Sequence, residues 1–375
     1  QWGLQSAAWV SEPEIPWDDA FIDSLHGVAM KRVIVTGGAG FIGSAFIWKL
    51  NREGIEDILV VDSLGVGEKW RNLSRLRYTD YLHKSAFLQQ ITTDTMRFAP
   101  EAVVHMGACS STSERNADYL MANNYQFTRS LAEWAAVRGL RFIYAGSAAT
   151  YGNGESGFFD DADLSQLTPL NVYGYSKLLF DRFAERTGLL GQIVGLKFFN
   201  VFGPNEYHKG EMASVVFKAF HQIKERGQVS LFRSCRADYA DGEQMRDFVY
   251  VKDCIEVMWW LLTHPGVNGL FNLGTGRARS WNSLVKALFS AMDLPVRIEY
   301  IPMPEHLREN YQYFTQASMN RLKSTGCPMN FHSLEESVAD YVRNHLKTDF
   351  PWLSSTTCPQ AGASEQRGSI EPSDA

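Results

Sequence analysis

Cysteine is scarce in this chain of 375 residues. There are five, Cys109, Cys235, Cys254, Cys327 and Cys358, scattered, odd in number and free of any Cys-x-x-Cys pair. That pattern excludes a disulfide framework and a zinc site, so no metal is expected, and it fits a reducing, cytoplasmic compartment. Cys109 has no basic neighbour in sequence, so it reads as a structural thiol rather than a nucleophile. Long apolar runs are missing too. Nothing approaches the roughly 18 residues that a membrane span requires. Positive charge is not in excess either: the net charge is −6, which disfavours a nucleic-acid surface and speaks first of solubility.

Residues 1–29 lack Lys and Arg altogether but hold Glu12, Glu14, Asp18, Asp19 and Asp23. A secretory signal needs a basic start and an apolar centre, and a transit peptide is rich in Arg and poor in acids. The stretch fits neither. It is taken as an extension of unknown role, with Met30 as a candidate natural start. From about Ser354 the composition turns to Ser, Gly, Pro, Thr and Gln, and 354–375 is expected to be a disordered tail.

What is present is a globular composition, 45% hydrophobic, long enough for one large or two ordinary domains. Apolar strands are expected at 31–36, 57–62, 102–106, 141–145 and 192–198, with helices at 41–52, 123–138 and 173–186 between them. Continuously apolar strands alternating with helices indicate an α/β fold, a doubly wound parallel sheet covered on both faces. Beyond residue 200 the pattern loosens. The stretch 233–246 reads as a polar loop, and segments resume at 248–251, 253–262 and 283–292. A smaller C-terminal α/β substrate lobe is therefore expected from 201–245 and 271–350, with 30–200 forming the dinucleotide domain and 246–270 returning to it.

Thr36-Gly-Gly-Ala-Gly-Phe-Ile-Gly43 follows a strand and opens a helix. Gly37, Gly40 and Gly43 allow a tight turn, close approach of backbone to a pyrophosphate, and close helix–strand packing. The helix start offers free N–H groups and a positive dipole end. Asp62 stands about 20 residues past the last glycine at a strand end, where a ribose hydroxyl is read. Asp62 alone favours NAD. Ser63 and Lys69 leave NADP open, because Lys69 is either a partner for a 2′-phosphate or a solvated loop lysine.

Tyr173 and Lys177, four residues apart, fall on one helix face. A nearby ammonium favours the phenolate, which gives a base for a carbinol proton. Ser147 follows the fourth expected strand, at the end where open sheets bind ligands, and is a candidate clamp for the substrate oxygen. Any one of these is more often core; the combination after a complete glycine motif points to hydride chemistry. Lys209, read on its own, is a phosphate-binding or solvated loop lysine.

Together with Arg246-Asp-Phe-Val-Tyr-Val-Lys-Asp253, these motifs resemble the extended short-chain dehydrogenase/reductase family, which handles nucleotide-activated sugars on a Rossmann-type domain. The resemblance spans about 30–350. Gly107-Ala-Cys-Ser-Ser-Thr112, Ser147-Ala-Ala-Thr-Tyr-Gly152, Leu170-Asn-Val-Tyr-Gly-Tyr-Ser-Lys177, Phe199-Asn-Val-Phe-Gly-Pro204, His208-Lys-Gly210 and Phe271-Asn-Leu-Gly-Thr-Gly-Arg277 are similar to its members that act on ADP-linked heptose. The Ala-Cys-Ser-Ser-Thr and His-Lys-Gly segments are the specific ones.

That resemblance implies bound NADP, an ADP-heptose substrate used for lipopolysaccharide core, and inversion at C6 through a 6-keto sugar. It implies Tyr173 as base for one epimer and Lys209 for the other. Phe41, Ile42, Asp62, Ser63, Lys69, Lys84, Asn123, Lys177, Val201 and Lys209 are then expected at the cofactor, with Met106, Gly107, Ala108, Cys109 and Ser110. Asn200, Glu211, Lys218, Phe232, Arg246 and Tyr311 are expected at the substrate, Arg246 as a diphosphate fork. A homo-oligomer, a pentamer by resemblance, is implied as well.

The chain departs from the pattern at Gly146, where serine is common, and at Glu211 and Lys218, where Ser and His occur in some relatives. The 233–246 loop is also longer than in the shortest relatives. Dehydratases of this family place an Asp-Glu pair where Ala148 and Ala149 stand here, so elimination lacks its acid and base. The competing readings are a 4-epimerase acting on a UDP-hexose and a non-catalytic NADP-binding protein.

Overall fold

The computed structural model describes residues 30–308 and 311–355; the extension 1–29 and residues 356–375 lie outside the described residues. The chain runs through β1 (Arg32–Thr36), α1 (Phe41–Arg52), β2 (Asp57–Asp62), β3 (Asp80–His83), α2 (Lys84–Thr92), β4 (Ala102–His105), α3 (Phe127–Val137), β5 (Arg141–Ser147), α4 (Val172–Arg186) and β6 (Ile193–Phe198). It continues with β7 (Asn200–Phe202), α5 (Val215–Arg226), β8 (Val229–Phe232), β9 (Met245–Tyr250), α6 (Val251–Thr263), β10 (Gly269–Leu273), β11 (Ala278–Ser280), α7 (Trp281–Ala291), β12 (Ile298–Ile301) and α8 (Leu334–Tyr341).

Seven parallel strands form the main sheet in the order β10-β6-β5-β4-β1-β2-β3. Alternate residues of each strand feed opposite layers. Val33 and Val35 pack with Phe46, Leu50 and Met258 of α1 and α6, while Ile34 packs with Leu131 and Phe180 of α3 and α4. This is the doubly wound α/β fold that the apolar alternation implies. The strand order reverses between β1 and β4, so the carboxyl ends of these two strands open a crevice.

The second region has a three-stranded sheet, β11-β9-β7, and a two-stranded parallel pair, β12-β8. The boundaries differ from the sequence reading in three places. β10 carries the main sheet to Leu273 beside β6, so it does not stop at 270. β9 begins at Met245, inside the stretch expected to be loop, because Met245 and Arg246 pair with Ser280 and Arg279. The helix expected at 123–138 starts as a π-helical turn over Met121–Gln126.

Residues 351–355 form a strap across the first region. Tyr207 donates to the Pro351 carbonyl at 2.8 Å, the Leu353 N–H to Asn205 at 2.9 Å, Trp48 to the Ser354 carbonyl at 3.1 Å and the Ser355 hydroxyl to Asn51 at 2.6 Å. Ser354 and Ser355 are therefore fixed, contrary to the expected start of the tail.

Asp340 fastens α8 to β9 and α6. It accepts from Tyr250 at 2.5 Å, Lys252 at 2.7 Å and Asn344 at 2.7 Å. Burial pushes its carboxyl up, but the hydrogen bonds from Lys252, Tyr250 and Asn344 outweigh this and hold it at about 2. The folded value lies below the ordinary 3.8, so the stabilisation is complete above that value and is lost as pH falls through about 2. Asp340→Ala is expected to lower unfolding free energy by about 1–2 kcal/mol at pH 7. Urea denaturation should show the difference shrinking in acid; an equal midpoint at pH 7 would remove this role.

Candidate active site

The crevice begins at the turn between β1 and α1. Gly40 caps α1 without any side-chain hydrogen bond, which leaves the first-turn N–H groups for an anion. A Cβ on Gly43 would collide with the Gly37 carbonyl, so only glycine lets the helix lie this close to the turn. Asp62 at the end of β2 accepts the Ala39 N–H at 2.8 Å and the Ser63 N–H at 2.6 Å. Lys69 pairs with the same carboxylate at 2.5 Å. The glycine cradle, the uncapped helix start and the acid at the β2 end together fit a dinucleotide.

The loop after β4 forms the facing wall. Asn124 is buried within the π-helical turn; it accepts the Cys109 N–H at 2.8 Å and donates to the Cys109 carbonyl at 3.0 Å. It also donates to Ser176 of α4 at 3.0 Å. Asn124 thus ties this loop to the helix of Tyr173, a role the sequence reading missed; the Asn-Asn pair was its only signal. Asn123 donates to the Asn124 side-chain oxygen at 3.0 Å and accepts Lys84 Nζ at 2.7 Å. Lys84, Asn123, Ser63 and Asp62 line a pocket of about 240 Å³ that shares Gly37, Lys69 and Gly107 with the main cleft.

The main cleft, about 660 Å³, is lined by Gly37, Gly40, Phe41, Ile42, Gly43, Asp62, Lys69 and Met106 to Thr112, with Ser147, Tyr173, Lys177, Asn200, Val201 and Lys209. Asn171 caps α4 by accepting the Gly174 N–H at 2.8 Å. Gly174 lets α4 approach the loop after β5: a Cβ there would stand 2.6 Å from the Ala149 carbonyl. This contact sets Tyr173 beside Ser147.

The Tyr173 phenol, reachable from the cleft yet surrounded by protein, is raised above its ordinary value by burial, while a hydrogen bond with Ser147 pulls it down. Lys177 is not among the groups that lower it. Its ammonium instead donates to the Ala145 carbonyl at 2.7 Å, and burial brings its own value to about 8. The bond to the Ala145 carbonyl fixes where the Lys177 ammonium sits, behind the helix turn that carries Tyr173. Cys109 is half-buried in the cleft wall rather than enclosed in the core.

Lys209 lines the same cleft. Its Nζ lies 5.4 Å from the centre of the Phe41 ring. Burial lowers its pKa and Glu206 opposes the change. Glu206 is fully buried and holds the loop closed by accepting from the Ser214 N–H at 2.6 Å and the Ser214 hydroxyl at 2.7 Å. The neighbouring His208 is kept neutral, at about 4, by burial and the charges of Lys69 and Lys209.

The residues expected at the substrate are divided. Asn200 lines the cleft. Arg246 is buried, its guanidinium donating to the Met245 carbonyl at 2.8 Å and to the Gln312 carbonyl. It stands 5.6 Å over the Trp281 ring and 5.3 Å over the Tyr311 ring. Trp281 lines the cleft and donates to the Tyr311 hydroxyl at 3.0 Å, so this aromatic wall brings Arg246 and Tyr311 to its edge. Trp281 and Phe248 were not anticipated; aromatic residues at strand and helix starts give no distinct signal. Glu211, Lys218 and Phe232 stand outside the cleft, and Lys218 donates to the Glu211 carbonyl at 2.9 Å.

Comparisons with known proteins give the chain its family. Residues 33–274 match the family model described as the NAD dependent epimerase/dehydratase family. The chain is 59% identical over 321 residues to a protein of Nitratidesulfovibrio vulgaris named ADP-L-glycero-D-manno-heptose-6-epimerase, covering 85% of this chain and 99% of the relative. A Fusobacterium nucleatum protein of the same name is 47% identical over 331 residues, covering 86% and 100%. Among solved structures, the Helicobacter pylori ADP-L-glycero-D-manno-heptose-6-epimerase superposes with a TM-score of 0.69 at 27% identity, covering 84% of this chain and 96% of that one. The Thermotoga maritima UDP-glucose 4-epimerase gives 0.68 at 27% identity, covering 84% and 99%.

Gly43→Ala is expected to weaken dinucleotide binding. Overpacking of this kind costs about 1–3 kcal/mol, roughly tenfold or more in affinity. Fluorescence titration with reduced dinucleotide measures it; unchanged affinity would show that the close helix–turn contact is dispensable.

Proposed function

The chain belongs to the NAD dependent epimerase/dehydratase family, and from that premise we propose that it is an isomerase that converts ADP-D-glycero-D-manno-heptose into ADP-L-glycero-D-manno-heptose by inverting C6. Its relatives at 47–59% identity carry the name of that activity over nearly their whole length. The observation that carries the reaction scheme is that Tyr173 and Lys209 line one and the same cleft. The product would supply heptose for lipopolysaccharide core.

The cofactor is a nicotinamide dinucleotide, and NADP is our assignment. Lys69 neutralises Asp62, whose other oxygen is taken by the Ala39 N–H. A neutralised acid no longer repels a 2′-phosphate, and the Lys69 ammonium, which lines the same pocket, would be shared with it. Gly37, Gly40, Gly43 and the start of α1 would hold the pyrophosphate, and Lys84 and Asn123 the adenosine side. When bound, the nicotinamide supplies reversible hydride acceptance from a carbinol carbon.

The protein's own residues handle the protons. Tyr173, with Ser147 at its phenol, removes or returns the proton on the C6 oxygen of one epimer. After the 6-keto sugar turns its other face, Lys209 does so for the second. Burial supports that second role, since it favours the neutral amine. Arg246 and Tyr311, reached through Trp281, are assigned to the ADP-sugar. We assign the substrate lobe to 201–245 and 274–350, and a homo-oligomer, a pentamer, to the assembly.

Incubation with ADP-D-glycero-D-manno-heptose should give the L-epimer; turnover of UDP-glucose with none of the heptose would overturn the assignment. Tyr173→Phe and Lys209→Met should each reduce epimerisation by about 10²-fold or more while reduced-dinucleotide fluorescence remains. Near-normal turnover by Lys209→Met would exclude the two-base scheme. Lys69→Ala should lower affinity for NADP and spare NAD; an equal loss for both would remove the 2′-phosphate contact.

A further inference from the structure

No step assigned above uses Asp181, although it is a completely buried carboxylate on the helix of the working pair. It follows Lys177 by four residues, as Lys177 follows Tyr173, so the three side chains share one stripe of α4. Its Oδ1 accepts the Tyr144 hydroxyl of β5 at 2.8 Å. Its Oδ2 stands 3.2 Å from Nζ of Lys197 on β6, which is equally buried. That oxygen has no aligned hydrogen bond, so the attraction is chiefly one of charge. Lys197 in turn donates to Thr150 at 2.9 Å and lies 4.6 Å from the Tyr151 ring centre.

Two apolar side chains would fill this space without desolvating any charge, so stability alone does not account for an ion pair here. The neighbour that gains from it is Lys177. Its surroundings are nearly free of other charge. Cys109 faces it from the loop after β4 and Tyr173 from its own helix. His105 on β4 is held neutral, at about 3, by burial. From β5 it meets the Ala145 carbonyl. Enclosure pulls the Lys177 amine toward neutrality, and Asp181 opposes that more than any other group. Around Asp181 itself stand Tyr144, Tyr151 and Lys197 from the sheet side.

We propose that Asp181 is a positioning residue that keeps the Lys177 amine charged, and that Lys197 is the buried counter-charge of Asp181, giving an alternating file of charges from the cleft into the sheet. This rests on the reading of Tyr173 and Lys177 as the working pair. The sign follows directly. Activity requiring a charged Lys177 declines as pH rises through about 8. Removing the carboxylate lowers that pH.

The test compares pH profiles of epimerisation and melting temperatures for the wild-type holoenzyme, Asp181→Asn, Lys197→Met and the double variant. Asp181→Asn should move the alkaline decline about one pH unit toward acid, roughly a fivefold loss at pH 8. Lys197→Met, left with an uncompensated carboxylate, should melt lowest. The double variant should regain melting temperature while keeping the displaced profile, and it decides the matter if Asp181→Asn does not fold. A profile that coincides with wild type, or that recovers together with melting temperature in the double variant, would leave Asp181 a merely structural residue. The same displacement is expected in the pH dependence of reduced-dinucleotide binding, followed by fluorescence without sugar. A protein that shows it but leaves the heptose unchanged would refute the functional reading and not this one.

Discussion

The cleft depends on how closely α1 is drawn against the turn before it. With no side chain at Gly43, the helix start lies on the Gly37 carbonyl, at the point where the strand order reverses. Much else is tied to that turn. Asp62 and Asn72 bond Ala39, and the fully buried Asn205 donates to Ser44 at 2.9 Å. Asn205 also accepts the Leu353 N–H, so one amide links α1, the loop of Lys209 and the strap. A shift of the helix would therefore be felt in the loop of Lys209 and in the strap as well.

Continuity of apolar residues made the central strands and the α1 and α4 helices legible, because these elements are buried on the faces that their own pattern prescribes. β3 was not legible: Asp-Tyr-Leu-His is only half-buried at the sheet edge, so its sequence carries little of the signal. β10 was missed because Gly269-Leu-Phe-Asn-Leu resembles a loop approach until β6 is beside it. The π-helical turn at Met121–Gln126 depends on Asn124 reaching Cys109 and Ser176, contacts separated by 15 and 52 residues.

The site residues divide along the same line. The placement of Gly37, Asp62, Ser147, Tyr173 and Lys177 around one cleft was readable since each sits in a local motif attached to a strand end. The direction of the Lys177 ammonium was not, for it is decided by the Ala145 carbonyl, a backbone atom on another element. Arg246 was expected to face a diphosphate. Its burial beneath Trp281 and Tyr311 comes from the three-stranded sheet, whose pairing no short window of sequence contains.

The strap at 351–355 bears on how the molecule is made. Chains are synthesised from the amino end, and domains generally fold as units in that order. The parallel sheet is complete once β10 has emerged, whereas the loop bearing Lys209 is latched by Tyr207 to Pro351 and by Asn205 to Leu353. A nascent chain can thus assemble its nucleotide-binding half well before the loop bearing Lys209 is fastened to it.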